Sequence, residues 1–115
     1  MSPVTTISTH VLDTAFGTPA ENVAVTLERI EVGTATAVAR GVTNADGRVP
    51  SFASGDAMLA GDYRLCFDVA AYFADTQRKS FYAEICIAFT VDDQAQHYHV
   101  PLLLSPFGYS TYRGS

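Results

Sequence analysis

His97-Tyr98-His99-Val100-Pro101-Leu102-Leu103-Leu104 decides the fold, because its side chains sort into two faces with a period of two. Tyr98, Val100, Leu102 and Leu104 share an apolar face, and His97 and His99 share the other. Such a strand has one side in a core, and the same period recurs along the chain. Thr6–Asp13 puts Ile7 and Val11 on one face and Ser8, His10 and Leu12 on the other. Val23, Val25 and Leu27 alternate with Thr26 and Glu28, and Thr36–Thr43 reads as a third strand. Tyr63–Val69 gathers Tyr63, Leu65, Phe67 and Val69 on one face, and Glu84–Val91 turns Ile85, Ile87, Phe89 and Val91 inward. Alternation fails at Ala70–Gln77, where alanines and close apolar pairs predict a short helix between two strands. Gly17 and Pro19 mark residues 16–20 as a turn. Asn44-Ala45-Asp46-Gly47 predicts a tight reversal with Arg48 directly after it. The segment after Ser105 suits a brief edge strand. About seven or eight short strands and one helix predict an all-β sandwich of two antiparallel sheets. A doubly wound fold would need helices alternating with the strands.

The 115 residues are read as one domain spanning 1–115. With 48% hydrophobic and 17% charged residues, the composition is that of an ordinary folded chain. A formal net charge of −5 argues against nucleic acid as a partner, so an anionic ligand must be met by a local Arg and His cluster. No apolar run is long enough to span a bilayer, and MSPVTTISTHVLD lacks the basic and apolar regions of a signal peptide. The expected location is therefore the cytoplasm, with no membrane partner. In that setting Cys66 and Cys86 are read as two reduced thiols, although pairing is chemically open to them.

His10 and His99 both fall on the side of their strands away from the core. Imidazole is the side chain best suited to moving protons near neutral pH. Each histidine, taken alone, fits a hydrogen-bonded surface role equally well. His97 shares the face of His99, and a His-x-His pair with His10 is compatible with a three-nitrogen zinc site. Arg48 and Arg113 are the candidates for holding anionic or carbonyl groups, since guanidinium is a planar, permanently charged fork of donors. Arg113 lies in the terminal Tyr112-Arg113-Gly114-Ser115, an aromatic and basic ending where tails usually fray. No glycine-rich phosphate loop, nucleophile elbow or carboxylate dyad is present, and Ser115 has no general base beside it in sequence.

Three blocks together resemble the 5-hydroxyisourate hydrolase branch of the transthyretin-like proteins, almost end to end. Ser8-Thr9-His10-Val11-Leu12-Asp13 followed by Gly17-Thr18-Pro19-Ala20 looks like its opening motif. Thr43-Asn44-Ala45-Asp46-Gly47-Arg48 is similar to its Asp-Gly-Arg turn. Tyr98–Ser115 looks like its closing block, and the final Tyr-Arg-Gly-Ser is what separates the hydrolases from transthyretin proper, the hormone carrier.

The resemblance implies a prealbumin-like two-sheet antiparallel β-sandwich with a short helix after the fifth strand. It implies hydrolysis of 5-hydroxyisourate, an oxidised purine, to 2-oxo-4-hydroxy-4-carboxy-5-ureidoimidazoline in urate breakdown. Such an enzyme is a cyclic amide hydrolase that needs no metal and no organic cofactor. Its self-partner is a homotetramer, a dimer of dimers with active sites along a channel between the dimers. The catalytic residues carried over are His10, Arg48, His99, Tyr112 and Ser115. Substrate binding falls to His10, Arg48, Tyr112, Arg113 and Gly114. Two other readings stay open on residues alone: a carrier that uses the same channel to hold a ligand, and a metal-dependent site on His10, His97 and His99.

Overall fold

The computed structural model describes residues 5–52, 59–92 and 96–115. The first four residues of the stretch read for a leader lie outside the described residues. The elements are β1 (Thr6–Asp13), β2 (Thr18–Pro19), β3 (Ala24–Glu31), β4 (Thr34–Val42), β5 (Arg48–Val49) and β6 (Gly61–Phe67). Helix α1 (Val69–Asp75) follows, then β7 (Ile85–Val91), β8 (His97–Ser105) and β9 (Gly108–Thr111). One sheet runs β2-β1-β8-β9, with β5 also paired to β1, and the other runs β4-β3-β6-β7. The two apolar faces meet in a core built on Ile7, Val11, Val25, Leu27, Leu65, Phe67, Leu102 and Leu104, all buried as the alternation requires.

Four details depart from expectation. First, the sandwich is not wholly antiparallel, because β1 and β8 run parallel over the whole of β1, from Thr6 opposite His97 to Asp13 opposite Leu104. Alternation reports which face is buried and carries no information on strand direction. Second, residues 16–20 are not all turn, since Thr18–Pro19 pairs with Leu12–Asp13 at the sheet edge, where a proline is tolerated. Third, that small strand makes α1 follow the sixth strand instead of the fifth. Fourth, Val69 belongs to the helix and not to the strand before it. Asp68 caps α1 by accepting from the Ala71 N–H at 3.3 Å, which ends β6 at Phe67.

One buried charge ties the helix to the end of β1. Asp13 is fully buried, and Arg78 donates to both of its carboxylate oxygens. Tyr72 Oη donates to Oδ2 at 2.7 Å, and the Ala15 and Phe16 N–H groups donate to Oδ1. Burial alone would push this carboxyl up; the hydrogen bonds from Arg78, Tyr72 and the Phe16 N–H outweigh that and hold it below its ordinary value. The Arg78 guanidinium also covers the Phe16 ring, 3.7 Å from its centroid. Removing one partner of such a pair leaves a buried charge poorly compensated, so Arg78→Ala should cost about 3–5 kcal/mol of stability. Urea unfolding of the two proteins measures this directly, and a loss within error of zero would show that Asp13 finds its stabilisation elsewhere.

Candidate active site

The side of the first sheet that faces away from the core carries three cross-strand rows. Each is set by the register of β1 against its neighbours. His10 lies opposite Arg48 on β5 and opposite Pro101 on β8. Ser8 lies opposite His99, which is bridged on its other side to Gly114 of the tail. Thr6 lies opposite His97. His10 and His99 are therefore diagonal neighbours on adjacent strands, their Cα atoms roughly 8 Å apart by strand spacing and rise.

Arg48 is aimed by the turn before it. Asn44 Oδ1 accepts from the N–H groups of Asp46 and Arg48 at 2.9 and 3.0 Å, and Gly47 takes a φ of 75°. A Cβ at residue 47 would lie 2.4 Å from the Val11 carbonyl oxygen, so only glycine lets the turn dock on β1. That docking sets the register of Arg48 against His10.

His99 is held from three sides. Ser8 Oγ lies 2.8 Å from His99 Nδ1 and 3.0 Å from His97 Nε2, and Thr6 Oγ1 lies 2.6 Å from His97 Nδ1. The two imidazoles stack with centroids 6.3 Å apart. On the tail side, the Gly114 N–H donates to the His99 carbonyl at 2.8 Å. A Cβ at Gly114 would sit 2.5 Å from His99 Cδ2, so the tail can pass this close to the ring only as glycine. Burial, with the positive charge of Arg48 and of the neighbouring histidines His97 and His10, lowers the pKa of His99 from its ordinary value. The ring is neutral at neutral pH.

Arg48, His99, His97, Ser8 and Ser115 line one cleft of about 310 Å³. Ser115, without a base beside it in sequence, thus shares a cleft with two imidazoles. His10 does not line this cleft, although it shares the face and is close enough to bear on His99 electrostatically. Tyr112 and Arg113 turn away from it. They line a second, more apolar cleft of about 220 Å³ with Ile87, Phe89 and Tyr98, and His99 borders both. Arg113 stacks over the Tyr98 ring at 4.7 Å and donates to Gln96 Oε1 at 2.8 Å. Within one chain the guanidiniums of Arg48 and Arg113 therefore line different clefts.

Sequence alone does not single out Ser8 and gives His97 only the role of a metal ligand. The alternation of Thr6–Asp13 already put Ser8 on the face of His10, but the pairing partner of that face was not readable. Among the described residues, the three histidines do not bring their ligand atoms within 4.8 Å of one another as a set; Cys66, Glu84 and Cys86 on the other sheet do.

Comparison with known proteins identifies the line of descent. The HIUase/Transthyretin family model matches residues 7–114. This chain belongs to that family. It is 41% identical to the mouse (Mus musculus) 5-hydroxyisourate hydrolase over 111 residues, covering 95% of this chain and 94% of the relative. The solved Klebsiella pneumoniae 5-hydroxyisourate hydrolase superposes with a TM-score of 0.85 at 43% identity, covering 96% of this chain and all of that one. Sea bream transthyretin in complex with thyroxine superposes with a TM-score of 0.87 at 33% identity, covering 94% and 93% of the two chains. The two-sheet sandwich is thus a transthyretin-like fold, and among its described residues no helix is long and apolar enough to cross a membrane.

The charge on Arg48 offers a direct check of this geometry. Arg48→Gln should move the nuclear magnetic resonance titration midpoint of His99 upward, toward that of an ordinary histidine, by removing a neighbouring positive charge. An unchanged midpoint would place the guanidinium elsewhere in solution.

Proposed function

We propose that this chain is a 5-hydroxyisourate hydrolase. Water adds to a ring carbonyl of the substrate, the ring amide C–N bond breaks, and 2-oxo-4-hydroxy-4-carboxy-5-ureidoimidazoline is released. The observation that carries the reading is the neutral His99, fixed by Ser8 on one ring nitrogen and turned into a cleft that also holds Arg48 and Ser115. Two named relatives bear this activity in their names.

The reaction needs a base for water, donors for the developing oxyanion and a proton for the leaving nitrogen. His99 is assigned as the base. One self-consistent arrangement of protons has His99 Nδ1–H donating to Ser8, Ser8 donating to His97 Nε2, and His97 Nδ1–H donating to Thr6. His99 Nε2 then carries a lone pair toward the cleft. The reverse arrangement puts a proton on that same nitrogen, so the chain can supply either form. Arg48 orients the substrate and stabilises negative charge. His10, across from Arg48, supplies the proton to the departing nitrogen.

Gly114 and Ser115 close over the purine, with Ser115 nearest the water, while Tyr112 and Arg113 take part from the neighbouring cleft that His99 also borders. A homotetramer, a dimer of dimers, completes the site: the cleft opens on an uncovered sheet face, and Phe107, Tyr109 and Tyr112 are exposed along the β9 edge beside it. No metal or organic cofactor enters this mechanism.

Purified protein added to freshly generated 5-hydroxyisourate should accelerate its ultraviolet decay over the spontaneous rate. His10→Asn and His99→Asn should each lower kcat on the order of a hundredfold or more. Deleting residues 112–115 should abolish turnover, whereas a ligand carrier would keep its binding; near-native turnover in both histidine variants would remove the assignment. The pH profile has a fixed sign as well. Because His99 must be unprotonated and its pKa is lowered, the acid limb of kcat/KM should fall below the ordinary histidine value of about 6.5. Arg48→Gln should shift that limb upward.

A further inference from the structure

On the second sheet, Cys66 of β6 and Cys86 of β7 stand directly opposite each other. They lie on the face away from the core, in a row with Thr26 of β3. Residues opposed in an antiparallel pair have Cα atoms about 4.5–5.5 Å apart. That spacing falls inside the roughly 4.4–6.8 Å a disulfide spans. The Cys86 thiol donates to Cys66 Sγ at 2.6 Å, so the sulfurs already face each other. Both are free thiols, but they differ in access: Cys86 is exposed and Cys66 is buried.

We propose that Cys66 and Cys86 form a site of reversible covalent modification, closing to a cross-strand disulfide within one chain by exchange with a small-molecule disulfide. The thiolate of Cys86, the sulfur that an outside reagent can reach, attacks one sulfur of the small disulfide. A mixed disulfide forms on Cys86 and one small thiolate leaves. Cys66 then loses its proton and attacks the Cys86 sulfur, which expels the second small thiolate. The two protein thiols have given up two electrons and two protons, and one small disulfide has become two small thiols.

The surroundings set the pace. Burial pushes both thiols above their ordinary pKa. Glu28 of β3, 3.3 Å from Cys66, and Glu84, 3.3 Å from Cys86, push the same way, and Arg64 opposes them at Cys86. Thiolate is therefore scarce near neutral pH, and closure speeds up as pH rises. A soft cation on Cys66, Cys86 and Glu84 is the other chemistry these donors allow. Two sulfurs on one tetrahedral zinc ion, each about 2.3 Å from it, would have to stand roughly 3.8 Å apart. The pair as placed is closer to bond formation than to that separation.

The test is intact-mass spectrometry of the folded full-length protein after incubation with oxidised glutathione, acid quenching and alkylation. The wild-type chain should lose both alkylatable thiols, become two hydrogens lighter and carry no glutathione. Cys66→Ser should stall with one glutathione on Cys86, and Cys86→Ser should stay unmodified over the same period. A stable glutathione adduct on the wild-type chain would overturn the proposal. So would a disulfide joining two chains, or an inert folded protein whose denatured form reacts. The wild-type reading decides the matter even if a variant folds poorly, and it is independent of hydrolase activity.

Discussion

The parallel ladder between β1 and β8 is the constraint on which the site depends. These strands come from opposite ends of the chain, and their register puts Thr6 beside His97 and Ser8 beside His99. A slip of β1 by one residue would turn Ser8 and His10 into the core and Ile7 and Val11 out of it, and the same slip of β8 would exchange His97 and His99 for Leu102 and Leu104. The burial of Ile7, Val11, Leu102 and Leu104 thus holds the face with the candidate site in register as well as stabilising the sandwich. Along β1 and β8 one set of alternate residues packs the core, and the opposite set includes Ser8, His10, His97 and His99.

The ends of the chain are drawn into the same arrangement. A C-terminal tetrapeptide would ordinarily fray, yet here Thr111 Oγ1 donates to the Pro101 carbonyl at 2.7 Å and the Gly114 N–H to the His99 carbonyl. Glycine is needed at 114 because the backbone must pass against the face of an imidazole already fixed by Ser8. Fixing the ring and admitting the tail therefore go together, and Ser115 lies in the cleft just beyond that close approach.

Most of the strands were legible because alternation is a local property: Thr6–Asp13 as a strand, and the inward sets on β6, β7 and β8, follow from side-chain order alone. The placing of Arg48 was legible too, since Asn44 and Gly47 dictate the turn. What stayed hidden was relational. Nothing in the order of residues says that β1 pairs with β8, so the Ser8 bridge between His97 and His99 could not be read. Nor could the parting of Arg113 from Arg48, which follows from the attraction of its guanidinium to the Tyr98 ring and Gln96. The role of His97 shows the same gap: from sequence its only evident use was as a metal ligand, whereas in space both ring nitrogens are engaged by hydroxyls on β1.

Strand β1 also links two groups whose protonation their surroundings shift, the neighbouring His99 and its own Asp13. At its middle, burial and then the charge of Arg48, His97 and His10 disfavour a proton on His99, whose pKa is lowered from the ordinary histidine value. At its end, hydrogen bonds hold the Asp13 carboxyl below the ordinary carboxylate range, so the stability it contributes is present above that range and is lost only as pH falls through the depressed value. Acid therefore acts at the two places through different partners: it charges an imidazole that positive neighbours keep neutral, and it discharges a carboxylate that hydrogen-bond donors keep charged. Burial disfavours the charged form at both positions; the outcomes differ because His99 is surrounded by positive charge and Asp13 by donors, a distinction of partners and not of depth.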